Sequence, residues 1–245
     1  MKRTILFTVC AALIAVCFSG CVVVNFSDFN AVAGKGNPER YEFRVGEFSG
    51  IRVGGFYEVR YYAASSDTVI LEVQPNLREY FTVEVINDDL VVRTTKRIST
   101  NSGKIPVLTV STPVLNRLSI EGAGIFTAYD KIKADSFTLD LSGVGSGKAE
   151  LDVKSLFVDL SGAGSFELSG RVDNADLNMS GAGELKALSL QTQTANVNLS
   201  GAGTVAIYCA RNLRIDTSGV GTVKYKGSPD IDINRNGMAS IRKLD

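Results

Sequence analysis

A chain of 245 residues with 26 basic and 26 acidic side chains has no formal net charge, so it lacks the basic excess that nucleic acid or an anionic surface would select. It also contains no histidine, which excludes a Ser-His or Cys-His nucleophile pair and a His-ligated zinc site. The length allows one large β domain or two small ones, and a strong internal repeat favours one elongated unit.

Residues 1–20 have the form of a targeting segment. Lys2 and Arg3 supply the positive end, and residues 5–18 are apolar but too short and wrongly flanked for a membrane span. The segment closes on Phe18-Ser19-Gly20-Cys21. Small residues directly before a cysteine resemble the bacterial lipoprotein signal, in which Cys21 is acylated and becomes the mature amino terminus, with Phe18 in place of the usual Leu. On that expectation Cys10 and Cys17 leave with the signal, and Cys209 is the one thiol of the mature domain. No disulfide forms within it, and Cys209, between Tyr208 and Ala210, is expected to be a small buried filler. Loss of Lys2 and Arg3 leaves 24 basic against 26 acidic residues, a net charge near −2. Residues 21–40 hold Val22-Val23-Val24 and then Asn, Ser, Gly and Pro, which predicts a lipidated terminus and flexible tether ahead of a folded domain over 41–245.

From Tyr41 the pattern alternates with period two: Phe43 and Val45, Ile51 and Val53, then Val59, Val69, Leu71 and Val73. Such alternation predicts half-buried strands. Asn87-Asp88-Asp89 separates Val83 and Val85 from Leu90 and Val92, which predicts a hairpin because Asn and Asp tolerate left-handed backbone angles. Residues 97–104 form a polar loop, strand resumes at Pro106, and Thr112-Pro113 is a turn. Helix is nearly absent, with one turn at most over residues 76–80.

Residues 118–225 carry one short motif six times, as in Leu160-Ser161-Gly162-Ala163-Gly164 and Leu199-Ser200-Gly201-Ala202-Gly203. The leading glycines fall at 122, 143, 162, 181, 201 and 219, steps of 21, 19, 19, 20 and 18 residues. A near-constant period of that size predicts a solenoid. Alternating apolar residues precede each motif (Val158 and Leu160), a second short strand follows it (Phe166 and Leu168), and a third piece around Val153, Val172 or Leu190 leads onward. Strand, glycine corner, strand and return make one coil of a single-stranded parallel β-helix with coils of about 19 residues, an all-β fold. Aliphatic residues stack inward, and the glycines mark corners where a Cβ would crowd the neighbouring coil. The last coil repeats the pattern in Ile231-Asp232-Ile233-Asn234, with Arg235, Arg242 and Lys243 suited to blocking edge pairing. The strands of residues 41–110 are expected to cover the other end.

The same motif predicts an outward polar ladder: Ser119, Asp140, Asp159, Asn178, Asn198, Asp216 and Asp232, beside Ser142, Ser161, Ser180, Ser200 and Ser218. Asp140 and Asp159 on adjacent coils repel by about 1 kcal/mol in water and more when dehydrated, so solvent, serine hydroxyls or a cation must offset them. A solvated face is one reading. A groove for sugar hydroxyls or a weak calcium site is the other, since carboxylates and amides suit both. No dedicated metal site and no cofactor are expected. Ser-Gly-Ala-Gly is not a phosphate loop: no Lys-Ser or Lys-Thr follows and no helix begins there. Without histidine the remaining enzyme chemistries are a carboxylate pair for glycoside hydrolysis or an Arg or Lys base for polysaccharide elimination, and no catalytic residue is singled out. Tyr57, Tyr61 and Tyr62 cluster on one strand and are candidates for an aromatic contact, with packing under the covering strands as the alternative.

Phe48-Ser49-Gly50-Ile51-Arg52-Val53-Gly54-Gly55-Phe56-Tyr57-Glu58-Val59, the hairpin, Pro106-Val107-Leu108-Thr109-Val110 and the run of Leu-Ser-Gly-Ala-Gly copies resemble the head GIN domain family over residues 44–235. These are autotransporter-adhesin-like proteins, common as lipoproteins of Bacteroidetes. Gly55-Phe56-Tyr57 stands where the family's naming triplet Gly-Ile-Asn falls, so no role of that Asn transfers. The resemblance implies a right-handed, pectin-lyase-like β-helix, an adhesive role and no established catalytic residues. The expectation is therefore a lipid-anchored envelope protein, held to the outer membrane on its periplasmic or outer side, that binds a carbohydrate polymer or a surface protein. A carbohydrate-active enzyme and a purely structural stacking module are the alternatives.

Overall fold

The computed structural model describes residues 31–99 and 104–245. The expected signal, the acylated Cys21 and the first part of the expected tether lie outside the described residues.

Parallel stacking dominates the chain from Arg117 onward. Strand Arg117–Ile120 lies on Ile132–Leu141, which lies on Val144–Leu160, then Ala163–Met179, Ala182–Leu199 and Thr204–Thr217, each in parallel register. Thr204–Thr217 in turn carries Thr222–Lys226 and Asp230–Arg235. The result is a parallel β-solenoid of about 7 turns spaced ~19 residues apart. The register aligns like with like: Leu118, Leu139, Val158, Leu177, Val197 and Ile215 form one buried column. A shift of one residue would turn that whole set to solvent, so the aliphatic alternation itself fixes the register. Cys209 is buried in a second column, paired to Thr192, and its Sγ lies 3.0 Å from the Asn212 carbonyl, as a small filler would.

The glycine corners have a steric cause. A Cβ on Gly162 would overlap the carbonyl oxygen of Gly143 one coil below, and a Cβ on Gly181 would overlap that of Gly162. No side chain can occupy that column without spreading the stack.

The solenoid does not begin where the repeats begin. Strands Gly50–Gly54 and Phe56–Ala63 form a coil of their own, paired in parallel to Arg117–Ile120 and Ala123–Ala128 on one side. On the other side they pair in parallel to Asp89–Thr94 and Val107–Thr112. This segment, expected only to cover the end, is thus inserted between two segments that follow it in sequence. The antiparallel additions lie beyond: Glu39–Phe43 on Thr68–Val73, Thr68–Val73 on Val107–Thr112, and Phe81–Ile86 on Asp89–Thr94. The hairpin turn has Asn87 and Asp88 at φ 50° and 63°, the left-handed angles expected of them. The helical turn expected over residues 76–80 is a 3-10 helix, Pro75–Tyr80, whose Leu77 is buried.

Strand pairing starts before Tyr41. Val32–Ala33 pairs with Ile98–Ser99, and Asn76 donates through Nδ2 to the Ala33 carbonyl at 2.8 Å, so these residues belong to the fold and not to the tether. Residues 32–245 form one compact unit with its own continuous core, and every strand pairing named above lies within it.

Candidate functional site

Outward positions of one sheet face carry the predicted ladder. Ser119, Asp140, Asp159, Asn178, Asn198 and Asp216 occupy successive rungs of a single column. The rung above Asp216 is Asn234 and not Asp232; Asp232 pairs with Arg214 two residues to the side. The last corner, Asn236-Gly237, follows Gly219 by the same 18 residues that separate Gly201 from Gly219, so the ladder position falls at Asn234; Asn236 donates its backbone N–H to Thr217. Ser142, Ser161, Ser180 and Ser200 run alongside, all exposed, and each donates its backbone N–H one coil down, for example Ser161 to Leu141 at 3.0 Å.

The ladder is chemically graded along the solenoid. At its N-terminal end Asp89, almost fully buried, accepts from Arg52 at 2.8 Å and Arg117 at 3.3 Å, and Glu121 lies between Arg52 and Arg93 at 3.9 and 3.8 Å. Three guanidiniums over two carboxylates leave this end cationic. Asp140 sits on the next rung and is half-buried. Burial and, after it, the Asp159 carboxylate hold Asp140 above the usual carboxylate range, against the pull of Arg117 and Arg52. The middle is amide: Asn198 Nδ2 donates to Asn178 Oδ1 at 2.8 Å, one rung apart. At the far end Arg214 clamps Asp216 at 2.8 Å and Asp232 at 3.3 Å, and its hydrogen bond holds Asp216 below the usual range. Two shallow depressions lie there, of about 160 Å³ around Asn196, Asn212 and Arg214 and about 150 Å³ around Asn198, Asp216 and Asn234.

One residue of this face was missed from the sequence. Phe157 occupies the column beside the ladder, between Thr138 and Asp176, and is 48% exposed. Its outward direction was legible, because Leu156 and Val158 on either side point inward. Flanked by the Asp159 and Asp140 rungs, it gives the polar face one bare aromatic ring.

The tyrosine candidates do not share a surface. Tyr57 and Tyr61 are fully buried, which overturns their role as exposed contacts. Tyr57 occupies the rung of Gly124, the second glycine of the corner, and so points into the core; its hydroxyl donates to the Gly54 carbonyl at 3.0 Å, its ring meets Phe81 at 5.7 Å, and burial pushes its phenol far up. Tyr61 points inward on the rung of Ala128 and Val110. Only Tyr62 faces outward, stacked on Tyr129 with ring centroids 4.9 Å apart.

Among the described residues no group of three or more Cys, Asp or Glu side chains is gathered closely enough to hold a metal ion. The Asp140–Asp159 pair is thus a pair and no cage. The face as built offers carboxylates, amides, hydroxyls and one aromatic ring over a flat, open sheet, an arrangement able to hydrogen-bond and stack on an extended polar ligand.

Comparison with known proteins agrees on the fold. A crystal structure of a "putative adhesin" from Bacteroides fragilis superposes with a TM-score of 0.83 at 23% identity, covering 87% of this chain and 100% of that one. A "putative lipid binding protein" from Parabacteroides distasonis gives 0.68 at 22% identity over 88% of this chain and 100% of its own. A "putative adhesin" from Parabacteroides merdae gives 0.64 at 21% identity over 88% and 99%. No curated protein matches the chain. The family model described as "Putative auto-transporter adhesin, head GIN domain" matches residues 47–229, well over half of the sequence, and the chain belongs to that family.

Proposed function

We propose that this adhesin-like domain is a non-catalytic binding module whose flat polar face holds a surface polysaccharide, carried on the bacterial envelope by an acylated Cys21. Its family is one of adhesin-like, cell-surface or envelope proteins. The observation that supports a glycan is Phe157: an exposed ring among Asp140, Asp159, Asp176 and Asn178 pairs a stacking surface with acceptors and donors at successive rungs. Rungs about 4.8 Å apart match the scale of a sugar residue, so an extended chain can engage several coils at once. A glycan-array screen of residues 32–245 tests the reading: binding to one polymer class that Phe157→Ala reduces about tenfold supports it, and no glycan bound overturns it.

A carbohydrate-active enzyme is the second reading, favoured by one observation: the raised Asp140 carboxyl beside Asp159 has the form of an acid and base pair. Turnover on a polysaccharide panel, lost in Asp140→Ala with the fold intact, would establish it.

A further inference from the structure

Each of eight consecutive corners places one apolar residue directly after its leading glycine, and in the six repeat motifs a second glycine follows it. Four are bulky and bare: Phe56, Val144, Val220 and Met238 are 41, 62, 58 and 80% exposed. Four are alanines: Ala123, Ala163, Ala182 and Ala202. The backbone bonds place them on consecutive rungs in the order Phe56, Ala123, Val144, Ala163, Ala182, Ala202, Val220, Met238, each donating its N–H to the glycine carbonyl one coil down where that bond is seen, as from Val144 to Gly122 and from Val220 to Gly201. The leading glycine, and in the six repeats the one after, leave these side chains standing proud of the corner. The outcome is an apolar ridge over eight rungs, between two flanks mostly of serine and threonine.

We infer that this ridge is a self-association surface that packs against the same ridge of a second copy, antiparallel about a two-fold axis. The size pattern carries the inference. Reversing the ridge about the point between Ala163 and Ala182 sets Val144 against the partner's Ala202, Val220 against the partner's Ala123, and Phe56 against the partner's Met238. Every valine then meets an alanine, and the two alanines at the axis allow the backbones to approach closely. A parallel arrangement would set valine on valine and alanine on alanine, leaving gaps between bulky contacts that tight packing does not tolerate. An isologous contact of this kind also closes on itself.

Charge and area agree. Within the flanks the charged residues are Glu58, Glu121 and Glu184, and the same reversal sets them against the partner's Ser240, the partner's Ser218 and the partner's Ser165, so no like charges meet. Eight rungs span about 34 Å and the corner is five residues, about 16 Å, across, so two copies bury on the order of 1,100 Å² in total. That is the range of weak, transient contacts and calls for a concentration-dependent dimer. The same two-fold would bring both polar faces to one side of the pair, doubling the surface available to a polymer.

Sedimentation velocity on residues 32–245 across the micromolar to millimolar range tests the proposal. A concentration-dependent dimer is expected, weakened about tenfold or more by Val144→Lys or by Ala202→Glu, each at an exposed corner position where the fold is retained by circular dichroism. Mixing these two variants restores the dimer, because the antiparallel register sets the new charges opposite each other. Three results would each overturn it: a wild-type monomer throughout, a dimer indifferent to both variants, or no rescue on mixing. A monomer that instead binds phosphatidylcholine vesicles, and loses them with Val144→Lys, would reassign the ridge to a lipid surface.

Discussion

The repeating coils and the N-terminal third reach the same cross-section by different routes. From residue 117 onward each coil lies on its own sequence neighbour, about 19 residues away, so one register rule serves the strands that flank each corner, with shifts between Glu167 and Ser169 and between Ala187 and Thr194. In the N-terminal third the coil at residues 50–63 is held between strands at 89–112 and 117–128, and the chain must leave and return to build it. The corner differs accordingly: where the six repeat coils have a second glycine, the early coil has Tyr57, whose buried ring packs against Phe81.

Tyr57→Ala should have the largest effect on this contrast. It empties a fully buried site in the inserted coil and should cost about 3 to 5 kcal/mol in denaturant unfolding. Tyr57→Phe, which gives up only the hydrogen bond to Gly54, should cost about 1 kcal/mol. Gly162→Ala comes next, at about 3 kcal/mol, because its methyl overlaps a backbone carbonyl that cannot move without spreading the coils. Gly46→Ala, with nothing within 4 Å of its added Cβ, is the matched control and should be close to neutral. Equal losses at the two glycines would break the claim that corner sterics set the stack.

A smaller gain is expected at Thr217. It occupies the inward column of Leu141, Leu160, Met179 and Leu199, and its hydroxyl is buried without a hydrogen-bond partner. Thr217→Val keeps the shape and should stabilise by about 1 kcal/mol. The smallest effect belongs to Asp140. Its folded carboxyl titrates above its unfolded value, so its charge opposes folding once the pH passes the usual carboxylate range and has no effect below it. Asp140→Asn should therefore raise the melting temperature slightly at neutral pH and leave it unchanged near pH ~3.

The sequence made the solenoid legible because period-two alternation and the glycine corner recur at fixed spacing, and both are local. The Asp140-to-Asp216 ladder followed directly from that spacing. What it did not show depends on contacts distant in sequence. The inserted coil at residues 50–63 has one glycine-pair corner and no repeat to compare, so its rung order was hidden. Tyr57 and Tyr61 lie two residues either side of Val59 and share its inward face, so their burial was legible from the alternation and only Tyr62 had the outward parity. Asp232 was placed two residues off because Ile231-Asp232-Ile233 imitates the apolar-polar alternation of the motif, whereas the 18-residue step from Asp216 leads to Asn234. Phe157 needed no structure, only attention to which face it occupied.

The most direct test of the account is a face-by-face comparison of polymer binding by residues 32–245. The double variant Phe157→Ala/Asn178→Ala strips the polar face, and Lys148→Ala/Lys186→Ala strips outward residues of the neighbouring face beyond the corner. The account predicts that the first lowers affinity for the bound glycan by about tenfold or more while the second leaves it within about twofold. Equal losses, or a loss confined to the lysine variant, would contradict it.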